Sequence, residues 1–226
     1  MINQIYKINP EIPPQLKEVF YKYLHEITAF TQKKEAEKIY EVLIKDSYAQ
    51  YKILLEIIQY FNKENIEIVD IGPGLGTPSI PIAISIKFNK ITLNNLKIKP
   101  ENFKFTLIEP NQKKCKFLQK IGDIFDLKLI IENTDEKTFY SRYRKRFDIV
   151  FCRAVFPPPK IFDVFKKYTQ NFAFWQYSQR YKEILLKYEK KIITNHLQVF
   201  KIFNYQILDK EYYTTIFLKS ENYFNG

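Results

Sequence analysis

The N-terminal part of the chain carries apolar positions at helical spacing. In residues 13–30, positions three or four apart form one apolar face: Leu16, Val19, Phe20, Tyr23, Leu24 and Ile27. A second helical stretch follows Thr31, which we expect to cap it, and Asp46 and Ser47 predict a break within that stretch. Because two such faces bury too little against each other, residues 1–60 are predicted to form a helical extension packed on the rest of the chain.

From residue 61 onward, short apolar runs alternate with helical patterns. Five runs are predicted to be strands: IEIVDI, FKFTLIEP, LKLIIEN, FDIVFCRA and NFAFWQYS. Helices are predicted for TPSIPIAISI, NQKKCKFLQKIGDIF, PPKIFDVFKKY and QRYKEILLKYEKK. The C-terminal stretches LQVFKIFNYQIL and YYTTIFLKS alternate and pair naturally as an antiparallel hairpin. Residues 61–226 are therefore predicted to form an α/β domain, with a mixed seven-stranded sheet and helices on both faces.

A glycine loop follows the first predicted strand in IVDIGPGLGTPSIP, residues 68–81. Ligands of open α/β sheets bind at the carboxyl ends of the strands, so this loop is the default site. Its glycines are Gly72, Gly74 and Gly76. A dinucleotide fingerprint would need glycine where Thr77 stands, and a Walker A loop would need a lysine that is absent. Both absences disfavour phosphate ligands, including the cofactor of a nicotinamide oxidoreductase.

The prolines of the loop further limit which ligands can bind there. Pro73, Pro78 and Pro81 each remove a backbone N–H group, and N–H groups are what cradle anions. Asp70, at the strand end, adds negative charge that favours a cationic ligand. S-adenosylmethionine fits these features, because it carries an adenosine and a sulfonium cation but no phosphate.

Further acidic residues stand at the ends of the next two strands. An ionised Glu109 can accept both ribose hydroxyls, and Asp135 or Glu136 can take the adenine amino group. Each acid also has a local alternative, because Asp70 can cap the turn, and Glu109 and Asp135 can cap the helices after them. Acids at three successive strand ends beside a glycine loop favour the binding role.

Charge and composition set the cellular context. Lysine and arginine number 36 against 25 acids, a formal charge of +11, which is typical of proteins that meet a polyanion. A lysine-rich bias from an AT-rich genome explains the charge equally well. The basic, aromatic stretch of residues 140–147 can contact RNA, or it is a solvated helix end.

Other classes of protein are disfavoured. The chain has no secretory signal pattern and no apolar run of about 18 residues, so we expect a cytoplasmic protein without a membrane span. Cys115 and Cys152 are far apart and fit free thiols in a reducing compartment. His25 and His196 are the only histidines and lie in distant segments, so no metal site is expected.

Several segments together resemble the RsmG (GidB) family of small-subunit rRNA methyltransferases: LIKDSY, VDIGPGLGTPSIPIAI, FTLIEPNQKKCKFLQKI and FDIVFCRAV. The resemblance covers roughly residues 25–220. It implies a class I S-adenosylmethionine-dependent methyltransferase fold with an N-terminal helical extension. It also implies S-adenosylmethionine as methyl donor, N7 of a guanine in 16S rRNA as acceptor, and the small ribosomal subunit as partner of a monomer.

The resemblance assigns roles to individual residues. Those expected to bind the cofactor are Asp70, Gly72, Gly74, Gly76, Glu109, Asp135, Glu136 and Arg153. Arg153 matches the arginine of the family's S-R-A motif and is the expected catalytic residue, because a guanidinium there can bind rRNA phosphate or steady the target base. An ion pair of Arg153 with Asp70 or Glu109 is the alternative.

Four positions depart from the family pattern. Gln176 and Tyr177 stand where the family has Lys-Gly, Asn133 replaces an arginine, and Ser79 replaces a glycine. Two basic positions near the expected RNA face are therefore missing. This leaves open the alternative that the chain is a relative that binds RNA or the ribosome without turnover.

Overall fold

A computed structural model describes residues 4–32, 36–61, 63–89, 99–153, 155–177 and 181–220, without the side chains of residues 36–40 and 177. The helices are α1 (Pro14–Thr31), α2 (Ala36–Ile58), α3 (Ser79–Phe88), α4 (Gln112–Phe125), α5 (Glu136–Tyr143), α6 (Lys160–Tyr168), α7 (Tyr181–Lys187) and α8 (Glu189–Thr194). The strands are β1 (Ile5–Lys7), β2 (Ile66–Ile71), β3 (Phe103–Ile108), β4 (Leu129–Glu132), β5 (Phe147–Phe151), β6 (Thr169–Tyr177), β7 (Leu197–Ile207) and β8 (Lys210–Lys219).

One mixed sheet joins all the described strands, in the order β1-β7-β8-β6-β5-β2-β3-β4. Strands β2 to β6 run parallel, and β8 is antiparallel to both β6 and β7. The expected α/β architecture and terminal hairpin are therefore confirmed. The expected strand number of seven was wrong, because β1 pairs with β7 through Ile5 and Ile202 as an eighth strand. Three residues are too few to show an alternating pattern in the sequence.

Helices cover both faces of the sheet, as expected. On one face, α1, α2, α3 and α4 share a core with side chains of β2, β3 and β7. On the other face, α5, α6, α7 and α8 pack on β5, β6 and the second side of β2. Because β2 is central and covered on both faces, five of its six residues are buried, which explains its nearly continuous apolar sequence.

Local predictions failed at three helix boundaries. Thr31 ends α1 instead of capping α2, and its hydroxyl donates to the Ile27 carbonyl at 2.9 Å. Helix α2 runs unbroken through Asp46 and Ser47, because the apolar stripe on either side of them continues into the core. The helix expected over residues 179–191 is two short helices, since Tyr188 leaves helical geometry while its ring packs on Phe162.

The N-terminal helices pack directly on α3, which has no polar face. Every residue of α3 from Ser79 to Ile86 is buried. Helices α1 and α2 contact α3 on the side turned away from the strands, and Leu16 and Ile27 of α1 are fully buried in the same core as Ile80. The division into an extension of residues 1–60 and a domain of residues 61–226 stays a prediction.

None of the helices in these ranges is both long enough and apolar enough to cross a bilayer.

A fragment of residues 62–226 should fail to remain monodisperse, because removing α1 and α2 exposes the apolar side of α3. Size-exclusion chromatography with light scattering, run beside the full chain, tests this. A monomeric fragment with a cooperative thermal transition would show instead that residues 1–60 are dispensable for folding of the sheet domain.

Candidate active site

The glycine loop connects β2 to α3 at the carboxyl edge of the sheet, where we expected a ligand site. The loop is tied to the neighbouring strand, because the Gly72 N–H donates to the Ile108 carbonyl at 2.9 Å. It is also folded on itself, with the Gly76 N–H donating to the Pro73 carbonyl at 2.9 Å. From α1, the Tyr23 hydroxyl donates to the Leu75 carbonyl at 2.6 Å, so the N-terminal helices help to fix the loop.

Gly74 marks the open side of the loop. All three loop glycines have positive φ, but a Cβ on Gly72 would lie 2.5 Å from Val155 and one on Gly76 would collide with Ile80. A Cβ on Gly74, where φ is 61°, would meet no atom of the described residues within 4 Å. At Gly74 the loop backbone therefore faces space that a ligand can approach closely.

Asp70 is a buried carboxylate that lacks a hydrogen-bond partner. Its residue is 1% exposed, and neither carboxylate oxygen has a partner within the described residues. Burial raises the pKa of Asp70 to about 7. The hydroxyl and N–H of Ser79 lie near the carboxylate without forming a regular hydrogen bond, and together with the charge of Arg153 they offset this rise only in part. A turn-capping role would use these oxygens, so the geometry favours the other expectation, that Asp70 faces a cationic ligand.

Glu109 connects the glycine loop to the end of β3. Its Oε2 accepts the Gly74 N–H at 3.1 Å, and its Oε1 accepts the Asn111 N–H at 3.0 Å. The alternative that Glu109 caps α4 was wrong, because Asn111 is the cap and accepts the Lys114 N–H at 3.1 Å, while at this helix Glu109 holds only the N–H of that cap residue. Each oxygen of an ionised carboxylate accepts more than one bond, so Glu109 keeps the capacity to accept hydroxyl groups.

Asp135 and Glu136 begin α5, after β4. Asp135 is exposed and caps the helix, accepting the Thr138 N–H at 3.0 Å and its hydroxyl at 2.7 Å. These bonds, the backbone one first, lower the pKa of Asp135. Glu136 is buried, and its Oε1 lies 3.5 Å from the Nζ of Lys167. The structure thus brings Asp70 and Glu109 together around the loop, while Asp135 caps its own helix and Glu136 faces Lys167 of α6.

Arg153 forms an ion pair, but with a partner that sequence reasoning missed. Its Nη1 lies 2.6 Å from Oδ2 of Asp46, in α2. The pairing that we considered, with Asp70 or Glu109, was wrong. Asp46, Ser47 and Gln50 are buried polar residues in a largely apolar part of α2, and that pattern was the available signal.

Asp46 collects hydrogen bonds from the sheet as well. The Tyr205 hydroxyl donates to Oδ1 at 2.6 Å, and Nε2 of Gln176 also donates to Oδ1. Gln50 extends the network, donating to the Tyr205 hydroxyl at 2.8 Å. Burial raises the pKa of Asp46, and the charge of Arg153 opposes that rise. Gln176, which departs from the family's lysine, is therefore a hydrogen-bonded member of this network.

Asn133, which stands where the family has an arginine, also has a structural role. The Nδ2 of Asn133 donates to the carbonyls of Glu109 and Pro110, at 3.1 Å each, and so joins the ends of β3 and β4. The basic stretch of residues 140–147 lies at the opposite edge of the sheet, where Lys145 pairs with Glu67 at 2.8 Å. That stretch is therefore not part of the cleft.

The cleft formed by Asp70, Gly74 and Glu109 has features that suit an organic cation. Among the described residues, no group of three or more histidine, cysteine or acidic side chains is arranged to hold a metal ion. A buried carboxylate without a partner, an open glycine and a second carboxylate at the next strand end fit S-adenosylmethionine, as the loop composition predicted.

In fold, the chain is similar to the magnesium protoporphyrin IX methyltransferase of Synechocystis, whose structure was solved with bound S-adenosylhomocysteine. The TM-score is 0.55 at 11% sequence identity, covering 91% of this chain and 96% of that one. At this identity the similarity concerns the fold alone. It confirms the expected class I methyltransferase fold.

In sequence, the chain is similar to a named family over most of its length. The family model described as GidB, rRNA small subunit methyltransferase G, matches residues 20–209. The ribosomal RNA small subunit methyltransferase G of Dictyoglomus thermophilum is 27% identical over 88% of this chain and 84% of its own length. The protein of that name from Ureaplasma parvum serovar 3 (strain ATCC 700970) is 26% identical over 91% of this chain and 89% of its own. The matched residues run from α1 to the end of β7, and the chain therefore belongs to the GidB family of S-adenosylmethionine-dependent rRNA small subunit methyltransferases.

Proposed function

We propose that this chain methylates N7 of a guanine in 16S rRNA, with the cofactor at the glycine loop and Arg153 at the acceptor side. The observation that carries the site assignment is Asp70, a buried acid at the loop whose oxygens lack hydrogen-bond partners within the described residues. A positive charge beside such an acid stabilises its ionised form, and the family's methyl donor carries one. Family membership supports the rRNA substrate.

We assign each residue around the glycine loop a separate role in binding the methyl donor, S-adenosylmethionine. When bound, S-adenosylmethionine supplies an electrophilic methyl group, which the free lone pair of guanine N7 can accept without a general base. Asp70 balances the ligand's positive charge, Gly74 lets it approach the loop backbone, and Glu109 accepts hydroxyl hydrogens. Gly72 and Gly76 shape the loop, and Asp135 and Glu136, after the next strand, remain our candidates for contact with the adenine. Orientation of the two reactants then accounts for much of the rate.

On the acceptor side, Arg153 binds RNA phosphate or the target base. A guanidinium can hold a phosphate through two N–H groups at once, which fixes orientation as well as position. The formal charge of +11 adds an attraction to RNA that does not depend on sequence and weakens with salt.

This function sets the partner and the place of action. The small ribosomal subunit is the partner, the chain acts as a monomer, and the cytoplasm, where ribosomes are assembled, is its location. The relatives described above are named as methyltransferases, and they give no support to the alternative of a binding protein without turnover. The loop prolines and Thr77 continue to disfavour a nicotinamide cofactor.

Gly74→Ala should weaken S-adenosylmethionine binding by about tenfold or more while the protein stays folded. The added methyl group meets nothing in the free protein, and its backbone strain is of order 1 kcal/mol, but it occupies the ligand's space. Gly122→Ala, in α4 and away from the loop, is the matched control and should keep full affinity. Isothermal titration calorimetry measures both. Equal affinity of the two variants would remove the loop from the cofactor site.

Affinity for S-adenosylmethionine should rise about tenfold between pH 6 and pH 8 and level off above. A carboxyl with a pKa of about 7 is mostly neutral at the lower pH and mostly ionised at the higher one, and only the ionised form attracts the cation. Asp70→Asn should bind weakly, with a much flatter pH profile. A wild-type profile no steeper than that of the variant would contradict the assignment.

The same variant has an opposite effect on stability, which serves as a control for folding. The folded-state pKa of Asp70 is raised, so folded protein holds a proton that unfolded protein loses above about pH 4. The contribution of Asp70 to stability therefore falls as pH rises toward 7 and stays low above it. Asp70→Asn should raise the melting temperature at pH 8, and raise it less at pH 5, in thermal unfolding experiments.

Small subunits from cells lacking this protein should become methylated when incubated with it and labelled S-adenosylmethionine. Borohydride and aniline then cleave the RNA at 7-methylguanine, which reports both the position and the atom. Arg153→Lys should cut the rate by about tenfold, because an ammonium cannot form the two-pronged contact. Arg142→Ala, which removes an exposed arginine of α5, is the control and should keep the wild-type rate. Labelled RNA that resists cleavage would overturn the N7 assignment.

A further inference from the structure

We propose that Asp46 is a positioning residue for methyl transfer, which holds the guanidinium of Arg153 at the acceptor side of the cofactor cleft. The inference rests on the proposed function, since it gives Arg153 a role toward the RNA. It assigns to the N-terminal helices a part in the reaction, because Asp46 lies in α2, outside the strands and loops that form the cofactor site.

The contacts of Asp46 show that its carboxylate is held from several directions. Tyr205 of β7 donates to Oδ1 at 2.6 Å, and Gln176 of β6 donates to the same oxygen. Oδ2 faces Arg153, just beyond the end of β5. The acceptor of Arg153 is therefore fixed by a helix and two strands, and a carboxylate held in this way presents Oδ2 in one position.

Asp46 and Arg153 differ in exposure, as expected if Asp46 holds the arginine in place and the arginine contacts the RNA. The side chain of Asp46 is 3% exposed and that of Arg153 is 20% exposed. The contact to Asp46 uses Nη1, and a guanidinium carries five N–H donors in a rigid fork. The N–H groups of Nη2 and Nε are thus aimed by the anchored end and can bind an RNA acceptor without breaking the ion pair.

Arg153 also stands next to the cofactor loop. Together with Pro78 of that loop, it lines a small cavity between α2 and the ends of β5 and β6, with Gln50, Cys152 and Gln176. Its charge reaches Asp70, where it opposes the rise in pKa. The anchored guanidinium therefore lies between the glycine loop and α2, which is the side that we assign to the acceptor nucleotide.

The ion pair is better explained by positioning than by stability. Removing two charges from water costs about as much as their attraction returns, so a buried pair adds little net stability compared with apolar side chains of the same volume. Fixing a long arginine side chain in advance, however, means that its conformational freedom need not be lost when the acceptor nucleotide is oriented for methyl transfer.

The test compares Asp46→Asn with Asp148→Asn. Asp148 is also buried, pairs with Lys63 at 2.5 Å and accepts the Glu67 N–H at 2.8 Å, but it lies at the opposite edge of the sheet. Each variant is assayed for single-turnover methylation of small subunits, for KM toward the subunits, for S-adenosylmethionine affinity and for melting temperature. An asparagine offers one acceptor oxygen where three donors converge, so Arg153 loses its fixed position.

Asp46→Asn should methylate about tenfold or more slowly at saturating subunit, with cofactor affinity within about twofold of wild type. Asp148→Asn should lose a comparable amount of thermal stability and keep the wild-type rate. In the Arg153→Lys background, Asp46→Asn should have much less further effect, because Asp46 acts through the guanidinium. Tyr205→Phe, which removes one donor and keeps the ring, should give a smaller loss and replaces Asp46→Asn if that variant does not fold.

Three results would overturn the inference while leaving the proposed function standing. The first is a wild-type rate in both Asp46→Asn and Tyr205→Phe. The second is an equal loss of rate in Asp46→Asn and Asp148→Asn. The third is fully additive losses in the double variant. Failure of wild-type protein to methylate subunits at all would overturn the proposed function, and this inference with it.

Discussion

The complete burial of α3 is the constraint on which the arrangement of the chain depends. A helix with apolar side chains all round cannot leave one side in water, so it needs cover on the side turned away from the sheet. Helices α1 and α2 supply that cover. Their position then brings Tyr23 to the glycine loop and Asp46 to Arg153. Two polar contacts of the candidate site are thus consequences of how an apolar helix is packed.

Asp46 and Asp70 show how the same residue type takes opposite roles in one protein. Both are almost fully buried, and burial raises the pKa of both. Asp46 is surrounded by donors from its own chain, so its charge is satisfied in the free protein. Asp70 lacks such donors within the described residues, so a bound cation would stabilise its charged form. Hydrogen-bond contacts therefore separate an acid that the chain itself supplies with donors from one that the described chain leaves without them.

Much of this architecture could be predicted from the sequence, because long periodic runs carry a strong signal. The strands at β2, β3, β5 and β6, the terminal hairpin and the apolar face of α1 follow directly from spacing. The β1 strand could not be predicted, since three residues show no alternation and its pairing with β7 depends on residues about 200 positions away. The unbroken course of α2 through Asp46 and Ser47 is a case in which tertiary packing overrides local propensity.

The site was predictable to the extent that it is local. The glycine loop and the strand-end acids are visible because the carboxyl ends of parallel strands meet at one edge. What Asp135 contacts in the free protein was open, since a helix cap and an adenine contact use the same oxygens. The pairing of Arg153 with Asp46 joins positions 107 residues apart, and no local spacing rule reports such a distance.

The short strand β1 has a consequence for the solubility of the folded protein. It pairs with β7 through residues 5 to 7, opposite Ile202 to Asn204, and forms one end of the sheet. Unpaired strand edges recruit strands of other molecules, and natural proteins protect them with short outer strands and charged side chains. Here a three-residue strand takes up part of the hydrogen-bonding edge of an eleven-residue one, and Lys201 lies 5.0 Å from the centre of the Tyr6 ring beside it. We therefore expect residues 5 to 7 to reduce self-association through this edge of the sheet.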